Sequence, residues 1–151
     1  MTNEKKKKIY LVDDDALFLK SLEIEFLQNS DFMIETFATG ELCMEKLRHS
    51  NKNPEDKPDV VVLDYYLDSV EKTAMNGLDT LDKVKAFNPD IPVIMLSSQD
   101  KIEVAVNCMK HRAFDYIIKS ETAFMRLQKA IAGIFQNQKT EKELNWYMER
   151  M

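Results

Sequence analysis

Ile9-Tyr10-Leu11-Val12-Asp13-Asp14-Asp15 (IYLVDDD) runs from four apolar residues straight into three acids. An unbroken apolar run of this kind fits a strand covered on both faces. Adjacent carboxylates at its end repel one another and are penalised where water is scarce. The arrangement costs stability unless a positive charge sits among the acids. The rest of the chain must supply that cation or build a site that binds one.

Working outward, short apolar runs alternate with stretches of helical period. Strands are predicted at 9–12, 32–37, 60–63, 92–96 and 114–118, and helices at 16–28, 40–48, 77–87, 100–112 and from Ser120 to about 138. Leu17, Phe18, Leu22 and Phe26 mark the inner face of the first helix; Phe124, Leu127, Ile131, Ile134 and Phe135 mark that of the last. Asp15, Asp100 and Ser120 are the expected caps of the first, fourth and fifth helices. Residues 51–58 read as a polar, proline-punctuated loop. Thr140-Glu141-Lys142-Glu143 fits a capping box, so residues 139–151 form either a new short helix or an extension of the fifth. The organisation is one domain over 1–138 followed by this helical tail.

Strict alternation predicts an α/β fold with an open, doubly wound, five-stranded parallel sheet. Composition narrows what such a fold can do. A net charge of -5 over 151 residues argues against a nucleic-acid-binding surface. The one basic run, residues 5–8, reads as a solvated lead-in. Cys43 and Cys108 lie far apart in sequence without metal-binding spacing and read as reduced packing residues. No apolar run reaches the roughly 18 residues of a membrane span, and the N-terminus has no apolar signal core. The expectation is a soluble, cytoplasmic protein with neither membrane nor nucleic acid as a direct partner.

In a doubly wound sheet, ligands bind beyond the carboxyl ends of the strands. Just past those ends stand Asp13, Asp14 and Asp15, then Asp64, then Ser97, then Lys119. Singly, each is an ordinary cap, turn or surface residue. Together they form a site for a divalent cation and a phosphoryl group. Carboxylates and carbonyls are the hard ligands Mg²⁺ prefers, and a carboxylate can attack phosphorus to form an acyl phosphate. Asp64, on the central strand, is the best-placed nucleophile. Lys119 and the Ser97 hydroxyl would neutralise the remaining phosphoryl oxygens. Neither His49 nor His111 falls at a strand end, which counts against hydrolase triads.

These motifs (LVDDD, VVLDYYL, IMLSS and FDYIIKS) resemble the receiver domain of two-component response regulators, over about residues 6–138. The resemblance implies a flavodoxin-like sheet in the order 2-1-3-4-5. It implies Asp64 as phosphoacceptor, and Asp13, Asp14, Asp64 and the Tyr66 backbone carbonyl as Mg²⁺ ligands. Ser97 and Lys119 would bind the phosphoryl group, with Tyr116 as the aromatic that moves with Ser97. Tyr66 and Gln99 would tune the rate of dephosphorylation, a bulky Tyr66 favouring slower hydrolysis. The implied partners are a histidine kinase or histidine phosphotransfer protein and a downstream protein. That partner would read the fourth helix, fifth strand and fifth helix, and the chain would be no enzyme beyond self-phosphotransfer and slow autodephosphorylation.

Two departures from the family pattern stand out. Asp68 occupies the usual proline position, and Gly77 falls 13 residues after Asp64 instead of about eight, so loop 65–76 carries an insertion of about five residues. Ser120 replaces the proline that commonly follows the lysine. A cis bond before a non-proline residue costs about 3 kcal/mol, so a trans Lys119-Ser120 bond is expected. Two rival functions remain: a haloacid-dehalogenase-like phosphatase, on the Asp13-x-Asp15 pattern, and a pseudo-receiver that binds partners without being phosphorylated.

Overall fold

The apolar runs form strands because they can be buried on both faces, and the helical segments between them supply the cover. In the computed structural model, which describes residues 5–151, the strands are β1 (Lys8–Val12), β2 (Met33–Phe37), β3 (Val60–Asp64), β4 (Val93–Ser97) and β5 (Asp115–Ile118). The helices are α1 (Ala16–Asn29), α2 (Gly40–His49), α3 (Gly77–Phe87), α4 (Ile102–Lys110) and α5 (Ala123–Glu149). A 3₁₀ turn, Pro54–Asp56, interrupts the loop before β3. The first four residues of the N-terminal segment, in which no signal core was read, lie outside the described residues.

All pairings are parallel, in the order β2-β1-β3-β4-β5. Successive residues of each strand face opposite sides. Tyr10, Val12, Val61, Leu63, Val93 and Met95 pack against Cys43, Leu47, Leu81 and Val84 of α2 and α3, with Cys108 of α4. Ile9, Leu11, Val60, Val62, Ile94 and Leu96 pack against Leu22 and Phe26 of α1 and Leu127, Ile131 and Ile134 of α5. Both cysteines are free and buried, and burial pushes the Cys43 thiol up to about 12 and the Cys108 thiol up to about 11. Neither is a thiolate nucleophile in this state.

Several expectations give way at element ends. Leu17 is 85% exposed: it falls in the first turn of α1, ahead of the part that reaches the sheet. The cap position of α4 belongs to Lys101, not Asp100, and no side chain caps that helix. Its other end stops at Lys110 because Arg112 adopts a left-handed φ of 73°, with the Ala113 amide bonding back to the Cys108 carbonyl. Ser120 does not cap α5 directly. Its hydroxyl and carbonyl accept the amides of Thr122 and Ala123, forming a turn from which the helix starts at Ala123. Thr140 opens no new helix: its hydroxyl donates to the Gln136 carbonyl inside a continuous α5. Among the described residues there is no cis peptide, so Lys119-Ser120 is trans.

Candidate functional site

The parallel register brings the strand ends together along a diagonal. Val12 pairs with Leu63, Asp64 with Leu96, and Ser97 with Ile118, so Asp13, Asp64, Ser97 and Lys119 follow one another across neighbouring strands. The ladder continues one step past the strands: Tyr65 donates to the Leu96 carbonyl at 2.7 Å and Lys119 to the Ser97 carbonyl at 2.8 Å. Backbone pairing thereby fixes the bases of the acceptor loop and of Lys119. A further constraint is Gly77, whose amide donates to the Tyr65 carbonyl at 3.1 Å. A Cβ there would stand 2.2 Å from the Asp64 carbonyl oxygen and 2.7 Å from the Tyr65 Cα, so only glycine allows α3 to approach so closely.

Asp13 and Asp64 are each 3% exposed and share one ammonium. Lys119 Nζ lies 2.7 Å from Asp13 Oδ2 and 3.4 Å from Asp64 Oδ1, with the Phe18 ring 4.6 Å below it. Burial first and the Asp13 charge second raise the Asp64 carboxyl pKa to about 7, with Lys119 and the Tyr66 amide offsetting them only in part. Burial alone would lower the Lys119 pKa; contact with Asp13 and Asp64 more than reverses this and leaves it raised. One ammonium is therefore too little positive charge for the site. One carboxylate oxygen from each of Asp13, Asp14 and Asp64 falls within a 4.8 Å cluster.

The donor set fits Mg²⁺. It offers only hard oxygens, and the fully buried Asp13 Oδ2 has the Lys119 ammonium as its one close polar partner among the described residues. Asp15 stands apart from this group. Its Oδ1 accepts the amides of Leu17 and Phe18 at 3.1 Å each, and so it caps α1 as expected. With Asp15 spent on the helix, the Asp-x-Asp pair needed by the phosphatase reading does not form.

Ser97 is fully buried, and its hydroxyl accepts the Gln99 amide at 3.0 Å. Tyr116, two strands from Asp64, donates its hydroxyl to the Gln99 carbonyl, so Gln99 links Ser97 to Tyr116 through its backbone. Burial raises the Tyr116 phenol pKa, keeping it a neutral donor. Sequence reasoning missed the contacts made by the loop after Asp64. Asp14 Oδ2 accepts the amides of Ser69 and Val70 at 2.9 and 3.0 Å, and the Ser69 hydroxyl donates to the Tyr66 carbonyl at 3.0 Å. Backbone amides carry no residue-type signal, which is why the Asp14 contacts were invisible. Leu67, wholly buried at the foot of that loop, was legible only as one more apolar residue.

Comparison with known proteins agrees with this geometry. The family profile described as the response regulator receiver domain matches residues 9–132. The chemotaxis protein CheY of Listeria monocytogenes is 33% identical over 109 residues, covering 72% of this chain and 83% of that protein. The protein-glutamate methylesterase/protein-glutamine glutaminase of Bacillus subtilis is 38% identical over 114 residues, covering 72% of this chain but 28% of that protein. The chain thus spans less than a third of the methylesterases and transcriptional regulators it matches. Among solved structures, a response regulator receiver domain protein from Clostridium thermocellum superposes with a TM-score of 0.71 at 27% identity. That match covers 89% of this chain and 98% of the other.

Proposed function

The chain belongs to the response regulator receiver family, and from that premise we propose that it is a phosphorylation-dependent signalling switch with Asp64 as its phosphoacceptor. The observation that carries this reading is the shared Lys119, drawn to both Asp13 and Asp64 in a buried crevice whose negative charge it does not balance. A phosphohistidine of a kinase or phosphotransfer protein is the chemically matched donor. An Asp64 oxygen attacks phosphorus, the P–O bond forms as the donor's P–N bond breaks, and the electron pair returns to the imidazole, which takes up a proton.

Mg²⁺ at Asp13, Asp14, Asp64 and the Tyr66 carbonyl would screen the acids and supply charge to the transferring oxygens. Lys119 holds another oxygen as a point charge. Once Asp64 carries the acyl phosphate, its negative charge moves outward onto the phosphoryl group and Lys119 gains a stronger acceptor. The Ser97 hydroxyl, so far an acceptor for Gln99, becomes a donor to that group. Because Gln99 is bonded on both sides, motion of Ser97 bears on the Gln99 backbone and hence on Tyr116. A downstream protein partner would read the resulting change on α4, β5 and α5. Tyr66 and Gln99, two residues past Asp64 and Ser97, flank the approach that water must take to end the signal.

Incubation with a small-molecule phosphodonor and Mg²⁺, followed by intact mass measurement, tests the proposal. One phosphoryl group should appear in the native chain and none in Asp64→Asn. Label that persists in the variant, or never appears in the native chain, refutes it.

A further inference from the structure

The loop between β3 and α3 leaves the site and returns to its starting point, because the Gly77 amide closes on the Tyr65 carbonyl. Between these two residues it is pinned from several directions. Leu67 is buried at its foot, Ala74 donates to the Glu71 carbonyl, and the Met75 amide donates to Glu41 Oε2 on α2 at 2.8 Å. The tip carries Ser69 and Val70, whose consecutive amides both point at one oxygen of Asp14, while the Ser69 hydroxyl reaches back to the Tyr66 carbonyl. This is a specific use of an inserted segment. The two oxygen-bearing groups it holds, Asp14 and the Tyr66 carbonyl, are the ones Lys119 does not touch.

We propose that Ser69, with the Val70 amide, is a positioning element for the metal site: the inserted loop sets Asp14 and the Tyr66 carbonyl in place before the cation arrives. The inference rests on the metal-site reading above. A carboxylate has two oxygens and about four acceptor positions, so a pair of amides on Oδ2 leaves Oδ1 available. A carbonyl has two lone pairs, and the Ser69 hydroxyl uses one. The loop therefore orients both groups without exhausting them, and it removes entropy that a cation would otherwise have to remove on binding. Groups that orient metal ligands from behind are typically worth 10–100-fold in affinity.

The experiment is titration of the full chain with Mg²⁺ alone, by calorimetry, for the native protein, Ser69→Ala, Ser69→Thr, Asp14→Asn and a variant with residues 68–74 replaced by Gly-Gly. Ser69→Ala should weaken Mg²⁺ binding about tenfold and Ser69→Thr should restore it. The shortened loop should weaken it further, toward Asp14→Asn. In the native chain, Mg²⁺ should slow hydrogen exchange at the Ser69 and Val70 amides. Since Ser69 sits in an exposed loop, its urea midpoint should not move, which separates positioning from folding. Equal or tighter Mg²⁺ binding by Ser69→Ala and the shortened loop, with Asp14→Asn still defective, overturns this inference and leaves the metal site standing. Absence of Asp14-dependent Mg²⁺ binding in the native chain overturns both.

Discussion

Strand β1 has a charge cluster at each end, and the two clusters are built on opposite principles. At its start, the Lys8 ammonium lies 4.0 Å from Glu35 and 3.7 Å from Asp56, and Lys46 lies 3.9 and 3.7 Å from the same two acids. Two cations meet two anions, and the Tyr10 hydroxyl ties the adjacent 3₁₀ turn down by donating to the Asp56 carbonyl. At its finish, Asp13, Asp14 and Asp64 cluster, and among the described residues Lys119 is the one cation paired with them, through Asp13 and Asp64. A balanced cluster needs no further charge once the chain folds, even though Glu35 Oε2 within it accepts no hydrogen bond. An unbalanced one stores repulsion that a bound proton, a further cation or a change in covalent charge relieves. The comparison teaches that charge balance separates a structural cluster from one with unfinished chemistry.

The largest effect expected from breaking this contrast comes from removing the central acid. Asp64 has its folded pKa raised from 3.8 to about 7, so its ionised form is penalised in the folded state. Native stability is then lost as pH rises from the unfolded value through the folded one, and is flat beyond it. Asp64→Asn escapes that loss. Its advantage should be small at pH 4, grow through the window, and reach on the order of 2–4 kcal/mol at pH 8, at about 1.4 kcal/mol per pKa unit. Urea unfolding across pH measures this, and a gain that is absent or independent of pH refutes the repulsion argument.

The opposite sign is expected at the balanced end. Lys8→Met keeps the aliphatic packing but leaves Glu35 and Asp56 to Lys46 alone. Because those acids are 33% and 29% exposed, the cost should be about 1–2 kcal/mol, below that of a fully buried pair. A neutral or stabilising result would mean the network contributes nothing net.

Mg²⁺ should distinguish the two ends. At tenfold excess over Kd it should stabilise the native chain by about 1.4 kcal/mol. Thermal melts should show that gain undiminished in Lys8→Met and absent in Asp14→Asn. The smallest change is expected from a truncation that touches neither cluster. Residues 139–151 are exposed throughout, so removing them should cost less than about 0.5 kcal/mol while lowering helical circular dichroism. A larger loss would show that the end of α5 packs where no burial is seen.

Much of this was open to a reader of the sequence. Val60-Val61-Val62-Leu63 announced a central strand by lacking alternation, and Asp15 announced a cap by standing just before a helical period. The errors fell where local chemistry yields to tertiary geometry. Asp100 and Ser120 are good capping residues that the helices do not use, because the strand-to-helix turns deliver Lys101 and Thr122 to those positions. Arg112 ends α4 in a conformation that residue type advertises only for glycine or asparagine.

By itself, the sequence determined the alternation of elements and the location of the carboxylates, the hydroxyl and the ammonium at strand ends, because periodicity and residue chemistry are local properties. Only the tertiary structure decided which oxygens meet which ammonium, and that Asp14 and the Tyr66 carbonyl are gripped by an inserted loop. Those facts depend on parallel register and on backbone amides, and neither is written in the type of any residue.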